Sequence, residues 1–176
     1  LASGWEQHGE GALEFLAYEN ETYTYAEFTQ SVNQLAHAMR DELGLGQGDR
    51  VAIAMRSYPV RLMLVLAVSS IGGVVVFLNA WWTSEELDYA LQDSKARVIF
   101  ADGLRMERVL PLRDALDLTL IGVRDAEGQT AHDLSSLKRN ARSDTAPLVE
   151  IDTDDDFAIM YSSGTTGHPK GVVQTH

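Results

Sequence analysis

The chain has 176 residues, 45% of them hydrophobic, which is enough for one well-packed domain but not for two comfortable ones. Asp and Glu number 26 against 14 Lys and Arg, so the formal net charge at pH 7 is −12. Because nucleic-acid binding requires a clustered basic surface, this charge argues against a DNA or RNA partner. The absence of cysteine excludes disulfides and thiolate metal sites, and it fits a cytoplasmic protein.

The first helix is indicated by a capping pattern and an apolar repeat. Thr24 and Glu27 have the spacing of a capping box, and apolar residues then recur at helical spacing. Gly44 ends the helix, since glycine readily adopts the left-handed conformation that closes one. The apolar positions are Tyr25, Phe28, Val32, Leu35, Ala36, Met39 and Leu43.

Residues 62–78 carry no charged side chain and resemble a membrane-spanning segment in composition. A spanning helix needs about 20 apolar residues, and Gly72-Gly73 interrupts this stretch. Pro59 suits the first turn of a helix and predicts one over 59–71, followed by a buried strand over 74–78. We therefore expect no transmembrane segment.

Further along the chain, short apolar runs alternate with helical patterns. Thr83 and Glu86 repeat the capping-box spacing, and Pro111 interrupts a later helix. A polar connecting segment spans residues 124–150, with a short helix around 134–138. The predicted strands are 50–55, 74–78, 97–101, 118–123 and 157–161, and the remaining predicted helices are 84–93 and 104–116.

The predicted strands are continuous apolar runs, which are typical of strands buried on both faces. Their alternation with helices predicts an α/β fold with a largely parallel sheet flanked by helices. Ligands of such sheets bind beyond the carboxyl ends of the strands. The residues that follow the strand 157–161 are therefore the first candidates for a site.

Residues 161–171 read Tyr-Ser-Ser-Gly-Thr-Thr-Gly-His-Pro-Lys-Gly. Glycines allow sharp turns and a close approach of backbone N–H groups to a ligand, and hydroxyl side chains add further donors. Lys170 supplies a mobile positive charge. This composition predicts a polyphosphate site. The P-loop pattern of common NTPases does not match, because Pro169 precedes the lysine and Gly171 follows it.

The segment resembles the signature of the adenylate-forming (AMP-binding) superfamily: an aromatic residue, two small residues, Gly-Thr-Thr-Gly, any residue, then Pro-Lys-Gly. Residues 22–28, 35–53 and 78–94 also resemble the family, in the same order. The Asn-Ala-Trp-Trp stretch at 79–82 is most similar to bacterial fatty-acyl-coenzyme A ligases. The resemblance implies that residues 1–176 are the N-terminal portion of an AMP-binding domain, truncated at both ends. They would form the first part of the large N-terminal domain of such an enzyme.

The resemblance also implies a reaction. A carboxylic acid reacts with ATP in the presence of Mg²⁺ to give an acyl-adenylate and pyrophosphate. The resemblance to fatty-acyl-coenzyme A ligases implies that this acid is a fatty acid. Coenzyme A then forms the thioester. Two alternatives remain: an amino-acid or aryl-acid adenylation domain, and a nucleotide-binding module without catalysis. The fragment alone is expected to be inactive, because in the family the adenine contacts, the acidic magnesium ligand and the groups for the second half-reaction lie beyond the position of His176.

By the same resemblance, residues 163–167 are expected to wrap the β- and γ-phosphates of ATP, with Thr165 as a catalytic hydroxyl donor. Lys170 is expected to neutralise the charge that develops on the departing pyrophosphate. Ser162 aligns with a position that helps to hold Mg²⁺. Residues 162–171 are expected to be a loop that is mobile until nucleotide orders it. The implied site residues are Ser162, Ser163, Gly164, Thr165, Thr166, Gly167 and Lys170.

Three other features have a structural interpretation. Trp81 and Trp82 are expected to pack rather than to line an acyl channel. The alternating aspartates at 152–156 lack the glycine and glutamate of an EF-hand and predict an acidic turn. His176 matches the Thr-His pair that closes the family segment, and its role stays open.

Overall fold

A computed structural model describes residues 10–162 and 169–176 of the chain. Within these ranges a two-stranded hairpin precedes a seven-stranded sheet that has helices on both faces. The strands are β1 (Glu14–Tyr18), β2 (Glu21–Thr24), β3 (Arg50–Ala54), β4 (Val74–Phe77), β5 (Val98–Ala101), β6 (Thr119–Gly122), β7 (His132–Asp133), β8 (Asp156–Ser162) and β9 (Lys170–Thr175). The helices are α1 (Tyr25–Leu43), α2 (Pro59–Ser70), α3 (Ser84–Ser94), α4 (Gly103–Val109), α5 (Arg113–Leu116) and α6 (Leu134–Asn140).

The seven strands have the order β7-β6-β5-β3-β4-β8-β9. Neighbouring strands are parallel throughout, except that β8 and β9 are antiparallel. This confirms the predicted α/β fold with a largely parallel sheet. The carboxyl ends of β3, β4, β5, β6 and β8 therefore lie along one edge. β7 and β9 are additions to the predicted sheet.

The strands build an apolar core on each face, because successive side chains point to opposite sides of a sheet. Val51 and Ile53 of β3 share a fully buried cluster with residues of α1 and α2. Ala52 and Ala54 of the same strand share a second cluster with residues of α3 and α4. β3 thus lies at the centre of the molecule, and the continuous apolar runs in the sequence are explained by burial on both faces.

Both predicted capping boxes are present. The Thr24 hydroxyl accepts a hydrogen bond from the backbone N–H of Glu27, whose carboxylate accepts one from the backbone N–H of Thr24. Thr83 and Glu86 make the same pair of bonds at the start of α3. Gly44 closes α1 in the left-handed conformation, with φ of 66°. These helices begin and end where local chemistry predicts.

The polar segment at 124–150 contains α6, which confirms the short helix predicted at 134–138. α6 packs on α1, and the Lys138 Nζ donates a hydrogen bond to the Ser31 Oγ at 3.0 Å. Burial lowers the pKa of Lys138. In the described ranges, no helix combines the length and the apolar character that crossing a membrane requires.

The hairpin of β1 and β2 is fastened to the sheet by an arginine. The Arg124 guanidinium donates two hydrogen bonds to the Glu21 carboxylate and lies 4.3 Å from the centroid of the Tyr58 ring. Arg124 follows β6 and has a positive φ of 56°, which is rare for a residue with a side chain. This contact places the hairpin beside the carboxyl edge of the sheet.

Candidate functional site

The structure describes two of the predicted site residues. Ser162 is the last residue of β8, and Lys170 is the first residue of β9. Residues 163–168 lie outside the described residues. The roles of the other five candidates therefore stay predictions: Ser163, Gly164, Thr165, Thr166 and Gly167.

Ser162 and Lys170 lie directly opposite each other in the antiparallel ladder. The Ser162 Oγ donates to the Lys170 carbonyl oxygen at a long 3.5 Å, and both residues are exposed. Opposed residues on neighbouring strands point to the same face, so a hydroxyl and an ammonium group leave the sheet side by side. The expectation of a loop over 162–171 is wrong at both ends, because Ser162, Lys170 and Gly171 belong to strands.

This pair lies at the edge of the sheet that the fold predicts for a ligand. β8 runs parallel to β4, with Val75 opposite Ala158 and Phe77 opposite Met160. Its carboxyl end therefore lies at the same edge of the sheet as those of β3 and β4. Sites of open α/β sheets are found beyond this edge, so the position of Ser162 agrees with the sequence argument.

Tyr161 connects this edge to α3. Its hydroxyl donates to the Asp93 Oδ2 at 2.8 Å and lies 3.1 Å from the Ala90 carbonyl oxygen. Its ring packs edge-on against the Trp82 ring, with centroids 5.7 Å apart. Burial, followed by the hydrogen bond to the Asp93 carboxylate, raises the pKa of Tyr161 well above its usual range. At any physiological pH the Tyr161 hydroxyl therefore keeps its proton and acts as a hydrogen-bond donor.

A cleft of about 550 Å³ opens at the carboxyl ends of β3 and β4. Arg56, Arg61 and Asn79 line it together with Trp81. Trp81 is 76% exposed, so the expectation that it packs is wrong, whereas Trp82 packs as expected. Two arginines and an aromatic face give this cleft the chemistry of a surface for anions or flat groups.

A buried ion pair is hydrogen-bonded to two of the residues that line the cleft. Asp102 and Arg105 are almost completely buried and lie 3.3 Å apart. The Asp102 carboxylate also accepts from the backbone N–H of Arg56, and the Arg105 Nε donates to the Ala80 carbonyl oxygen. These bonds join the residues that follow β3, β4 and β5. Sequence reasoning does not single them out, because the residues come together only in the folded sheet.

The described residues contain no group of three or more His, Cys, Asp or Glu side chains that is arranged to hold a metal ion. The exposed Ser162 hydroxyl fits Mg²⁺ as one oxygen ligand, since this ion prefers oxygen and usually keeps several waters. Two of the aspartates at 152–156 accept hydrogen bonds from nearby backbone groups: Asp152 accepts from the N–H of Asp154, and Asp155 from the N–H of Asp152. The predicted acidic turn is confirmed.

The fold and the sequence pattern are similar to those of AMP-binding enzymes. The chain belongs to that family: the family model described as "AMP-binding enzyme" matches residues 5–176.

Relatives of this chain include coenzyme A ligases. The chain is 35% identical over 153 residues to the long-chain-fatty-acid–CoA ligase FadD13 of Mycobacterium tuberculosis (strain ATCC 25618 / H37Rv), covering 87% of this chain and 29% of that protein. It is 32% identical over 156 residues to 4-coumarate–CoA ligase 2 of Petroselinum crispum, covering 89% of this chain and 28% of that protein.

A solved structure shares the fold. ATP-bound MatB from Rhodopseudomonas palustris superposes with a TM-score of 0.76 at 28% identity, covering 88% of this chain and 30% of that chain. The present chain thus spans less than a third of the length of these relatives.

Proposed function

We propose that this chain is the N-terminal portion of the AMP-binding domain of an ATP-dependent carboxylic acid–coenzyme A ligase that works in the cytoplasm. The observation that carries the proposal is the pairing of Ser162 with Lys170 at the carboxyl edge of the sheet. The two residues flank the glycine- and hydroxyl-rich residues 163–168. Membership of the AMP-binding family supports ATP as a substrate. The names of two relatives support a coenzyme A thioester as product.

The first half-reaction is adenylation. A carboxylate oxygen attacks the α-phosphorus of ATP, the bond to the bridging oxygen breaks, and pyrophosphate leaves with the bonding electrons. Residues 163–167 hold the terminal phosphates through backbone N–H groups and hydroxyls. Lys170 places its ammonium group where negative charge accumulates on the leaving group. Ser162 would hold Mg²⁺ as one oxygen ligand, and the bound ion would supply further neutralisation of phosphate charge.

The second half-reaction is thioester formation. The thiol of coenzyme A attacks the acyl carbon, AMP leaves, and the thiol proton is lost. Lys170 has no part in this step, because pyrophosphate has already departed. Adenylation therefore depends on the residues that hold the terminal phosphates, and thioester formation does not.

The acid is proposed to be a fatty acid. Support comes from the Asn-Ala-Trp-Trp stretch at 79–82 and from the similarity to the long-chain-fatty-acid–CoA ligase. An aryl acid is the second candidate, because 4-coumarate–CoA ligase 2 is similar to nearly the same extent, at 32% identity.

The test is pyrophosphate release by the complete purified protein with ATP and Mg²⁺. Palmitate and 4-coumarate are offered in parallel, each with and without coenzyme A. We expect pyrophosphate release with palmitate and palmitoyl-CoA once coenzyme A is added. Pyrophosphate release with 4-coumarate but not with palmitate would show that the substrate is an aryl acid. ATP binding without release for either acid, or for a panel of amino acids, would instead favour the module without catalysis.

A further inference from the structure

The end of β8 extends beyond the strand that supports it. Pairing between β4 and β8 ends at Phe77 and Met160. Among the described residues, Tyr161 and Ser162 then pair with β9 alone. Met160 is 45% exposed, and Lys170 on the partner strand is exposed as well. Apolar burial of these neighbours therefore does little to fix the direction in which the ends of β8 and β9 project beyond β4.

The Tyr161 side chain supplies the missing attachment. Its hydroxyl has one proton to donate, and the Asp93 Oδ2 and the Ala90 carbonyl oxygen share it at 2.8 and 3.1 Å. Both acceptors belong to α3, which is anchored in the core by fully buried residues such as Leu87 and Leu91. A rigid element thus holds the hydroxyl end of the tyrosine.

The tyrosine ring also touches β9. Tyr161 is paired with Gly171, which follows Lys170 directly. A Cβ atom at Gly171 would lie 3.3 Å from the Tyr161 Cε1 and 3.1 Å from the Ile159 Cγ2, which is closer than ordinary van der Waals contact. The glycine therefore lets the ring lie against the backbone next to Lys170. The same ring packs edge-on against Trp82.

We propose that Tyr161 is a positioning residue for Ser162 and Lys170, on which it acts through its contacts with α3 and with Gly171. It acts by setting the direction in which Ser162 and Lys170 leave the sheet, and it does not itself touch the substrate. The inference rests on the proposed function, because its readout is the use of ATP. It adds Asp93, which lies 68 residues before Tyr161 in the chain, to the parts that shape the site.

The test compares two tyrosine variants of the complete protein. Tyr161→Phe removes the hydroxyl and keeps the ring. Tyr23→Phe is the matched control, because Tyr23 is also partly buried and donates to a carboxylate, that of Glu21 at 2.9 Å, on the hairpin strand β2. The measurements are kcat and KM for ATP in acid-dependent pyrophosphate release, and the rate of thioester formation from supplied acyl-adenylate.

We expect Tyr161→Phe to lower kcat/KM for ATP about tenfold, as the loss of one hydrogen bond to a charged partner allows. Thioester formation should change less than about twofold, and Tyr23→Phe should leave both half-reactions unchanged. Asp93→Asn, which keeps an acceptor oxygen, should retain more activity than Asp93→Ala.

A double variant separates positioning from general damage. If Tyr161 acts through Lys170, adding Tyr161→Phe to Lys170→Ala should cost less than about twofold more, because coupled residues are not additive. A full tenfold additional loss, or an equal loss in the thioester step, would overturn the positioning role. So would a Tyr161→Phe variant that matches Tyr23→Phe. If the wild-type protein releases no pyrophosphate with any acid, the proposed function fails and this inference falls with it.

Discussion

Lys170 carries the charge that the proposed adenylation step needs. In the complete protein, Lys170→Ala should slow pyrophosphate release by on the order of 10²-fold, the usual cost of removing one well-placed group that stabilises developing charge. Thioester formation from supplied acyl-adenylate should change far less. Single-turnover assays of the two half-reactions measure this difference.

Arg142→Ala is the charge-matched control for that experiment. It removes one positive charge at an exposed position between α6 and β8 and should leave both half-reactions unchanged. If Lys170→Ala slows both half-reactions equally, Lys170 has a structural role and the proposed chemistry is wrong.

Asp102 and Arg105 should matter for stability far more than an exposed ion pair does. Arg105→Ala leaves the Asp102 carboxylate buried without its partner, a change that typically costs about 3–5 kcal/mol. Arg113→Ala is the control, because Arg113 and Asp114 form an ion pair with side chains 55% and 86% exposed, and such pairs contribute about 0–1 kcal/mol. Urea unfolding of the complete protein should show a much larger midpoint shift for Arg105→Ala. Equal shifts would mean that the buried pair does not support the fold.

Side-chain contacts of this kind have no signature in the sequence. Asp102 and Arg105 are three residues apart, yet their other partners are Arg56 and Ala80, which only the sheet brings near. The aromatic residue at 161 belongs to a recognisable pattern, but its partner Asp93 is not predictable from spacing. Sequence reasoning therefore locates Ser162 and Lys170 and misses the contacts of Asp93, Asp102 and Arg105.

The two capping boxes set the starts of α1 and α3. Thr24→Ala and Thr83→Ala should each lower the free energy of unfolding by about 1 kcal/mol, because each removes an acceptor for a backbone N–H at the helix end. Thr24→Ser and Thr83→Ser keep that oxygen and should be nearly neutral. Chemical denaturation of the four variants checks the expectation. A serine variant as unstable as the matching alanine variant would show that the threonine methyl group, and not the cap, is what counts.

Elements with a local or buried signature are the predictable ones. α1 and α3 follow from capping boxes, and β3, β4, β5 and β6 follow from apolar runs that burial on both faces requires. β9 lacks that signature because all six of its residues are exposed. β1 is joined to β2 through Glu19 and Asn20, with Glu19 at a positive φ of 52°. Since glutamate is not a usual residue for that conformation, the turn gives a weak signal.

In the described part of the chain, β9 is the outer strand beside β8, and it exposes apolar side chains. Val172 and Val173 are 49% and 52% exposed. An edge with unpaired backbone groups and apolar side chains is a template for pairing with a second strand. This is also the strand that begins at Lys170, so the exposed edge lies next to the proposed site.

The isolated 176-residue chain should therefore associate with itself through β9. Val173→Lys places a charge on the edge strand and should shift the isolated chain toward monomer, because edge lysines oppose strand pairing. Leu104→Lys is the control: Leu104 is 46% exposed on α4, away from any strand edge, and its replacement should have little effect. Size-exclusion chromatography with light scattering over a range of concentrations measures the change. Equal effects of the two variants would point to general hydrophobic association, and a wild-type chain that stays monomeric would show that β9 is not open to pairing.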